Sequence, residues 1–320
     1  MLVRRKACFN ASERKGFSAR LQRFCWSYLA DEFANNGYHV IGADIQDKSV
    51  NPDRYDEYHS FDLTNYDSVK SIVEASSADC IVNLAAISSV SASWDNPLLT
   101  YQVNAMGTLN LLEAVRKTSP ESKVLLVGSS EEYAASNEPL SEEDLLNAGN
   151  PYGLSKMSAE NIASLYNTNY GLRVYIARPF NHTGVGQSER FVIPGWCKQV
   201  AEIQRLGRSG VIKVGNFLVS RDISSVSDIV RGYRSLLESD FSGIPFNFGS
   251  ERSLPLSYLL DCIIKFSDFN IEVKVDQSKL RPVDNPFIVS DCSRARSLLK
   301  WSAVEPIENT LRHIYDSFLE

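Results

Sequence analysis

The segment "NPYGLSKMSAE" sets Tyr152 and Lys156 four residues apart where a helical stretch opens, so that a phenol and an ammonium share one helix face. A phenol is a poor base at neutral pH, but a neighbouring ammonium favours phenolate, and the pair can then exchange a proton with a substrate oxygen. A Tyr-x-x-x-Lys spacing is common by chance. Its weight here comes from "GSSEEY", residues 128–133, which ends a buried apolar run earlier in the chain and carries the hydroxyl of Ser129 to a strand end. Glu131 adds a carboxylate two residues later.

These groups need a scaffold that brings strand ends together. The runs "YHVIGAD" (38–44), "CIVNLAA" (80–86), "KVLLVGSS" (123–130) and "LRVYIARPF" (172–180) read as buried strands. Between them "NYDSVKSIVEAS", "LLTYQVNAMGTLNLLEAVRKT" and "YGLSKMSAENIASLYNTNY" carry apolar residues at helical spacing. Strand and helix alternating at this length predict an α/β fold with a doubly wound parallel sheet of Rossmann type, whose ligands bind at the carboxyl ends of the strands. After residue 180 the rhythm loosens, with "LSYLLDCIIKF" (256–266) and a final "IENTLRHIYDSFL" as isolated helices, which predicts a smaller C-terminal lobe. The expected division is 1–178, with 217–243 returning to it, as the dinucleotide-binding domain, and 179–216 with 244–320 as the substrate lobe.

Composition narrows the partners. In 320 residues, 43% of them apolar, there is material for a large core. A net charge of −6 without a basic run argues against a nucleic-acid partner and for a small molecule. Six cysteines without CxxC spacing point to reduced thiols rather than a disulfide or metal framework, so no metal is expected. No apolar stretch approaches the ~20 residues of a membrane span, and no apolar leader with a cleavage site is evident, so a cytoplasmic protein is expected.

Asp44 closes the second strand, where a carboxylate accepts from the adenosine ribose hydroxyls and repels a 2′-phosphate; it favours NAD over NADP. The glycine-rich turn that belongs upstream is absent. The ~20-residue spacing back from Asp44 lands near Trp26, in "ERKGFSARLQRFCWSYLADEF", which holds only Gly16. Codon logic suggests why. Trp26 is TGG, and if Ser27 begins with T the triplet one base later is GGT, glycine. Arg23 and Arg20, if written CGG, also shift to glycine, while Phe24 and Cys25 allow Phe and Val. The shifted text permits G-x-x-G-F-V-G after an apolar Lys-Val-Phe-Leu strand. Residues 15–28 therefore read as an out-of-frame glycine-rich turn, with the frame restored near Leu29; the alternative is a divergent N-terminus.

With strand, Ser129, Tyr152 and Lys156 in place, the chain resembles the extended short-chain dehydrogenase/reductase family, also called NAD-dependent epimerase/dehydratases, which act on nucleotide sugars with a Ser/Thr, Tyr, Lys triad. The resemblance implies NAD or NADP as cofactor. It gives Tyr152 the proton exchange with the sugar oxygen, Lys156 the nicotinamide ribose, and Ser129 a hydrogen bond to the same oxygen. Asp62 and Leu63 in "FDLTN" match the adenine-contacting pair, Leu84, Ala85 and Ala86 the small-residue turn beside the cofactor, and Asn104 the helix asparagine that braces the site. Arg20, Arg23 and Trp26 occupy the positions of the lost glycines.

The second lobe is more discriminating. "RPFNHTGVGQ" (178–187), "FVIPGWCKQV" (191–200), "IKVGNFLVSRDISSVSDIV" (212–230) and "LRPVDNP" (280–286) resemble the GDP-mannose branch of that family. By position, Ser88, Ser89 and Asn181 would meet the sugar or diphosphate, Val192 and Lys198 the guanine, Arg221 and Arg281 the diphosphate, and Asp284 the guanosine ribose, where the branch usually has Glu. Guanidinium forks suit paired anionic oxygens. The resemblance implies reduction of the 4-keto group of GDP-4-keto-6-deoxy-D-mannose to GDP-D-rhamnose. The rival is the 4,6-dehydration of GDP-mannose, for which Glu131 stands at the extra catalytic base; against it, Ser89 stands where dehydratases usually place His. A third expectation is a silent nucleotide-sugar binder, because the written N-terminus lacks the glycines. The branch commonly forms homodimers through helices that here fall near 98–117 and 152–168.

Overall fold

A computed structural model of the chain describes residues 6–11, 23–46, 52–279 and 287–320, with the backbone alone described for 6–11, Arg23 and Pro52. In chain order the first half runs β1 (Lys6–Ala11), α1 (Arg23–Asn35), β2 (His39–Asp44), β3 (Glu57–Ser60), α2 (Tyr66–Ser76), β4 (Cys80–Asn83), α3 (Val90–Asp95), α4 (Pro97–Tyr101), α5 (Gly107–Thr118), β5 (Lys123–Val127), α6 (Pro151–Tyr170) and β6 (Val174–Pro179). The second half continues with β7 (Asn181–Thr183), α7 (Val192–Leu206), β8 (Gly210–Val214), β9 (Ser220–Arg221), β10 (Ile223–Ser225), α8 (Val226–Leu237), β11 (Pro245–Phe248), β12 (Leu254–Pro255), α9 (Leu256–Ile264), β13 (Ile271–Val275), β14 (Phe287–Ile288) and α10 (Ile307–Ser317).

Seven strands form the central sheet in the order β11-β6-β5-β4-β1-β2-β3, all pairs parallel. Strand order reverses between β1 and β4, the point at which open α/β sheets open a crevice for ligands. The strand pleat divides the core. Cys80, Val82, Leu125, Tyr175 and Ala177 face α1 and α8, whereas Ile81, Val124, Leu126, Val174 and Ile176 face α2, α5 and α6. Because both faces are covered, the strands read as near-continuous apolar runs rather than as alternating ones. Each fully buried Leu, Ile or Val of this kind contributes about 1.5–3 kcal/mol.

The doubly wound sheet is as expected, with boundaries moved. The predicted runs 80–86 and 123–130 stop pairing at Asn83 and Val127, because the chain leaves the sheet there to build the site. The 98–118 stretch is α4 and α5 joined by a π-helical turn at Gln102–Met106. A separate apolar core gathers α7, β8, α9 and α10 into the smaller lobe. Pro245–Phe248, given to that lobe from the sequence, instead pairs with β6 as the edge of the main sheet. The first strand is also displaced: it is Lys6–Ala11, ahead of residues 15–28 rather than among them, and it pairs with β2 from Lys6–His39 to Ala11–Asp44. Residues 12–22, Arg20 among them, lie outside the described residues.

Candidate active site

The carboxyl ends of β5, β4 and β2 carry the site. Past Val127 the chain makes one tight turn, Ser130–Glu132, capped by Ser129, whose hydroxyl accepts the Glu131 N–H at 3.2 Å. The α6 helix starts at Pro151, and the Asn150 side chain caps it by accepting the Gly153 N–H at 2.9 Å. The same Asn150 donates to Glu131 Oε2 at 2.8 Å, which ties the Ser129 turn to the helix that carries Tyr152 and Lys156. Gly153 is required at this contact: a Cβ there would lie 2.1 Å from the Glu131 carbonyl oxygen. A third tie is the Ser93 hydroxyl of α3, which accepts the Tyr152 N–H at 3.2 Å.

Ser129, Tyr152 and Lys156 are thus brought together and buried, at 7%, 8% and 5% exposure. Burial pushes the Tyr152 phenol above its ordinary value, and a hydrogen bond with the Ser129 side chain opposes that rise. The Lys156 ammonium donates to the Val127 carbonyl at 2.6 Å. Burial pushes its pKa down to about 8, so it gives up a proton more readily than a surface lysine. Asn104, on the π-helical turn, braces the floor: its Oδ1 accepts the Ile87 N–H at 2.8 Å, and its Nδ2 donates to Ser155 Oγ at 2.8 Å. A π-turn in a continuous helix is a recurrent device at functional sites.

A family model described as GDP-mannose 4,6 dehydratase matches residues 24–314, nearly the whole described chain. The chain belongs to that family. It is an extended short-chain dehydrogenase/reductase and an enzyme of the oxidoreductase type. Among its relatives are the GDP-6-deoxy-D-mannose reductase of Pseudomonas aeruginosa, 29% identical over 80% of this chain and 85% of the relative. GDP-mannose 4,6 dehydratase 2 of Arabidopsis thaliana is 27% identical over 92% and 84%. Among solved structures, RMD from Pseudomonas aeruginosa complexed with NADPH superposes with a TM-score of 0.83 at 25% identity, covering 99% of this chain and 98% of that one.

The other residues expected of this family fall in distinct places. Asp44 closes β2 beside Ala11 and Ser60, at the same sheet edge as Ala85 and Ala86, which are buried just past β4. The Asp62 carboxylate is engaged by its own turn, accepting Thr64 N–H at 2.8 Å and Thr64 Oγ1 at 2.7 Å. The Leu63 side chain is fully buried in the sheet core against α5, so only its backbone can face a ligand, and Leu84 is half-buried. Ser88 is half-buried, and Ser89 caps α3 by accepting the Ala92 N–H at 3.2 Å, so its hydroxyl already has a structural duty. Asn181 is exposed on β7, and Val192, 43% exposed, opens α7. Lys198 is paired with Glu189 at 3.0 Å on the lobe surface, and Arg221 is buried on β9, donating to the Ser220 carbonyl at 2.8 Å. Arg281 and Asp284 lie outside the described residues.

Arg23 opens α1, and Trp26 lies in its first turn. The indole is buried, edge-on to Tyr55 with ring centroids 4.1 Å apart, and its Nε1 finds no hydrogen-bond partner among the described residues. The Tyr55 hydroxyl is likewise buried without one, and its ring lies 2.8 Å from where a Gly42 Cβ would stand. The indole fills the first turn of α1, where a glycine would leave backbone N–H groups open to a ligand. The donor set therefore fits a nicotinamide at the Ser129–Tyr152–Lys156 end and an adenosine ribose at Asp44, while the bulk on α1 fits a pyrophosphate poorly. Asn150, Gly153, Ser93 and Glu132 were not singled out from the sequence; only Asn150 had a signal, the cap residue before the Pro at a helix start.

Proposed function

We propose that the protein reduces the 4-keto group of GDP-4-keto-6-deoxy-D-mannose to give GDP-D-rhamnose, using NADH or NADPH. What carries the reading is the Ser129, Tyr152, Lys156 group at the carboxyl edge of a sheet of this family. The bound dinucleotide supplies the hydride that the protein lacks. Tyr152 Oη delivers the proton to the C4 oxygen, and Ser129 Oγ holds that oxygen beside the phenol. Lys156 lends positive charge that makes the phenolate left behind less costly. The buried walls keep water from competing for the developing charge. The reductase among the relatives and the NADPH in the RMD structure support this substrate class and cofactor. Asp44 tilts the choice towards NADH.

A second reading, dehydration of GDP-mannose, is favoured by Glu131, which is half-buried two residues beyond Ser129. Its carboxylate accepts from the side chain of Asn150, the cap of α6, a bracing contact that supports the reductase instead. The substrate would lie over β7 and α7, with Asn181, Val192, Lys198, Arg221, Arg281 and Asp284 about the GDP portion. A homodimer is supported by exposed Leu98, Tyr101, Met106, Leu154 and Leu165, which leave an apolar face on α4, the turn after it, and α6. Among the described residues no helix is long and apolar enough to cross a membrane.

The test uses protein made from the restored reading frame, incubated with GDP-mannose and, separately, with its 4-keto-6-deoxy derivative plus NADH or NADPH. Cofactor oxidation with the keto sugar alone is expected; turnover of GDP-mannose alone overturns the reductase reading. The chain as written, titrated calorimetrically with NADH, is expected to bind weakly because of Arg20, Arg23 and Trp26. Micromolar binding would remove the case for a silent binder.

A further inference from the structure

Glu132 has no part in the reaction just described, yet it is wholly buried at the back of the site. Its Oε1 accepts the Ser129 N–H at 2.6 Å, so the carboxyl fixes the backbone from which the Ser129 hydroxyl projects. Gly128 makes room for it: a Cβ there would lie 2.5 Å from Oε1. Its Oε2 is buried with no hydrogen-bond partner among the described residues. The charged and titratable groups acting on it are Lys156, Glu160 and Tyr152 of α6 and Arg178 of β6, while Glu131 and Tyr133 flank it in the chain. Arg178 is largely engaged elsewhere, with four of its five N–H donors used: it donates from two nitrogens to the two oxygens of Glu160, and also to Tyr133 Oη and the Glu142 carbonyl.

We propose that Glu132 is a positioning residue, whose carboxyl anchors Ser129 and governs how much of the Lys156 charge reaches Tyr152. An ionised Glu132 would pair with Lys156 and repel a phenolate on Tyr152, both of which oppose the proton exchange. A neutral carboxyl leaves the Lys156 charge to the phenol, and burying Oε2 without a partner costs it less than it would cost a carboxylate. Burial, together with the Glu160 carboxylate, pushes Glu132 well above the usual carboxylate range, in the direction this role requires, against the pull of Arg178 and Lys156. The role rests on the reading of Tyr152 as the proton donor.

Two measurements test it, the first on the chain as it exists. The first is ultraviolet titration of the Tyr152 phenol, taken as the difference between each protein and its Y152F partner, which needs neither substrate nor cofactor. In E132Q the midpoint is expected to fall by about one pH unit, because a neutral amide replaces the carboxyl whose charge opposes a phenolate on Tyr152. The second is steady-state reduction of the keto sugar by restored-frame protein. E132L, which leaves the Ser129 N–H without an acceptor, is expected to lose about tenfold in kcat at unchanged KM, with E132Q recovering most of it. An unshifted phenol midpoint in E132Q, or equal kcat in E132L and E132Q, overturns the proposal. If no turnover is seen in any form, the function reading fails while the phenol titration still decides the role of Glu132.

Discussion

The Arg178–Glu160 pair offers the sharpest test of how the site is supported. Arg178 on β6 and Glu160 on α6 are 3% and 6% exposed and meet side on, Nε to Oε2 at 2.9 Å with a second, parallel contact from Nη2 to Oε1. The guanidinium has two further acceptors, Tyr133 Oη at 2.8 Å and the Glu142 carbonyl at 3.2 Å, whereas Arg178 is the hydrogen-bonding partner found for Glu160. Replacing Glu160 with Leu strands a buried cation, which costs about 3–5 kcal/mol. The two remaining acceptors place the loss near the lower end, about 3 kcal/mol, or more than about 100-fold in the folding equilibrium. R178M strands a carboxylate that can escape by taking up a proton, so its cost is about 2–3 kcal/mol. In E160L/R178M neither charge remains, and Tyr133 keeps its bond to Asn247 Oδ1 at 2.7 Å. The double variant is therefore expected to be at least about 2 kcal/mol more stable than the sum of the single losses. Urea unfolding followed by circular dichroism on all four proteins measures this coupling. Additivity within about 0.5 kcal/mol would refute the claim that the pair acts as one desolvated unit.

Y152F and K156A are each expected to lower kcat for keto-sugar reduction by about 100-fold or more with little change in KM, read by cofactor absorbance. G153A, whose new methyl would meet the Glu131 carbonyl at 2.1 Å, is expected to lose about 1–3 kcal/mol of stability and to displace Tyr152 from Ser129, so stability and kcat fall together. Burial pushes His182 below its ordinary pKa. The unfolded chain therefore takes up a proton near about pH 6.5 that the folded protein refuses, and stability is lost as pH falls below that value. Comparing urea midpoints at about pH 7.5 and about pH 5.5, H182N should show a smaller acid loss than the parent. Restoring glycine at Arg20, Arg23 and Trp26 is expected to raise NADH affinity at least about tenfold by calorimetry, since backbone N–H groups can then approach the pyrophosphate. Genomic codons other than CGG at Arg20 and Arg23 would sink the frame-shift explanation.

Local pattern carried a good part of this protein into view. Apolar runs and helical spacing were enough for the parallel sheet, because strands covered on both faces must be apolar at nearly every position, as Val174–Pro179 is. The site nucleus was legible because Ser129, Tyr152 and Lys156 each sit at a strand or helix end that the pattern locates. Strand ends were less legible: Leu84–Ala86 and Gly128–Ser130 are as apolar or small as the strands before them, and only the absence of a pairing neighbour ends the strand.

What tertiary structure alone decided is what each polar side chain does with its hydrogen bonds. Ser89 and Ser129 look alike in sequence and each hydroxyl caps a turn, yet the Ser129 hydroxyl also meets Tyr152. Lys198 and Lys156 are both lysines on helices, but one is ion-paired at the surface and the other is buried against the Val127 carbonyl. Glu132 reads as one more acid in "SSEEY", and its burial beside Arg178, Glu160 and Lys156 arises from chain segments distant in sequence. A sequence determines which groups are available and the period on which they fall. Solvent exposure and partners, which set whether a carboxylate is charged or a hydroxyl free, depend on elements that meet only when the sheet closes.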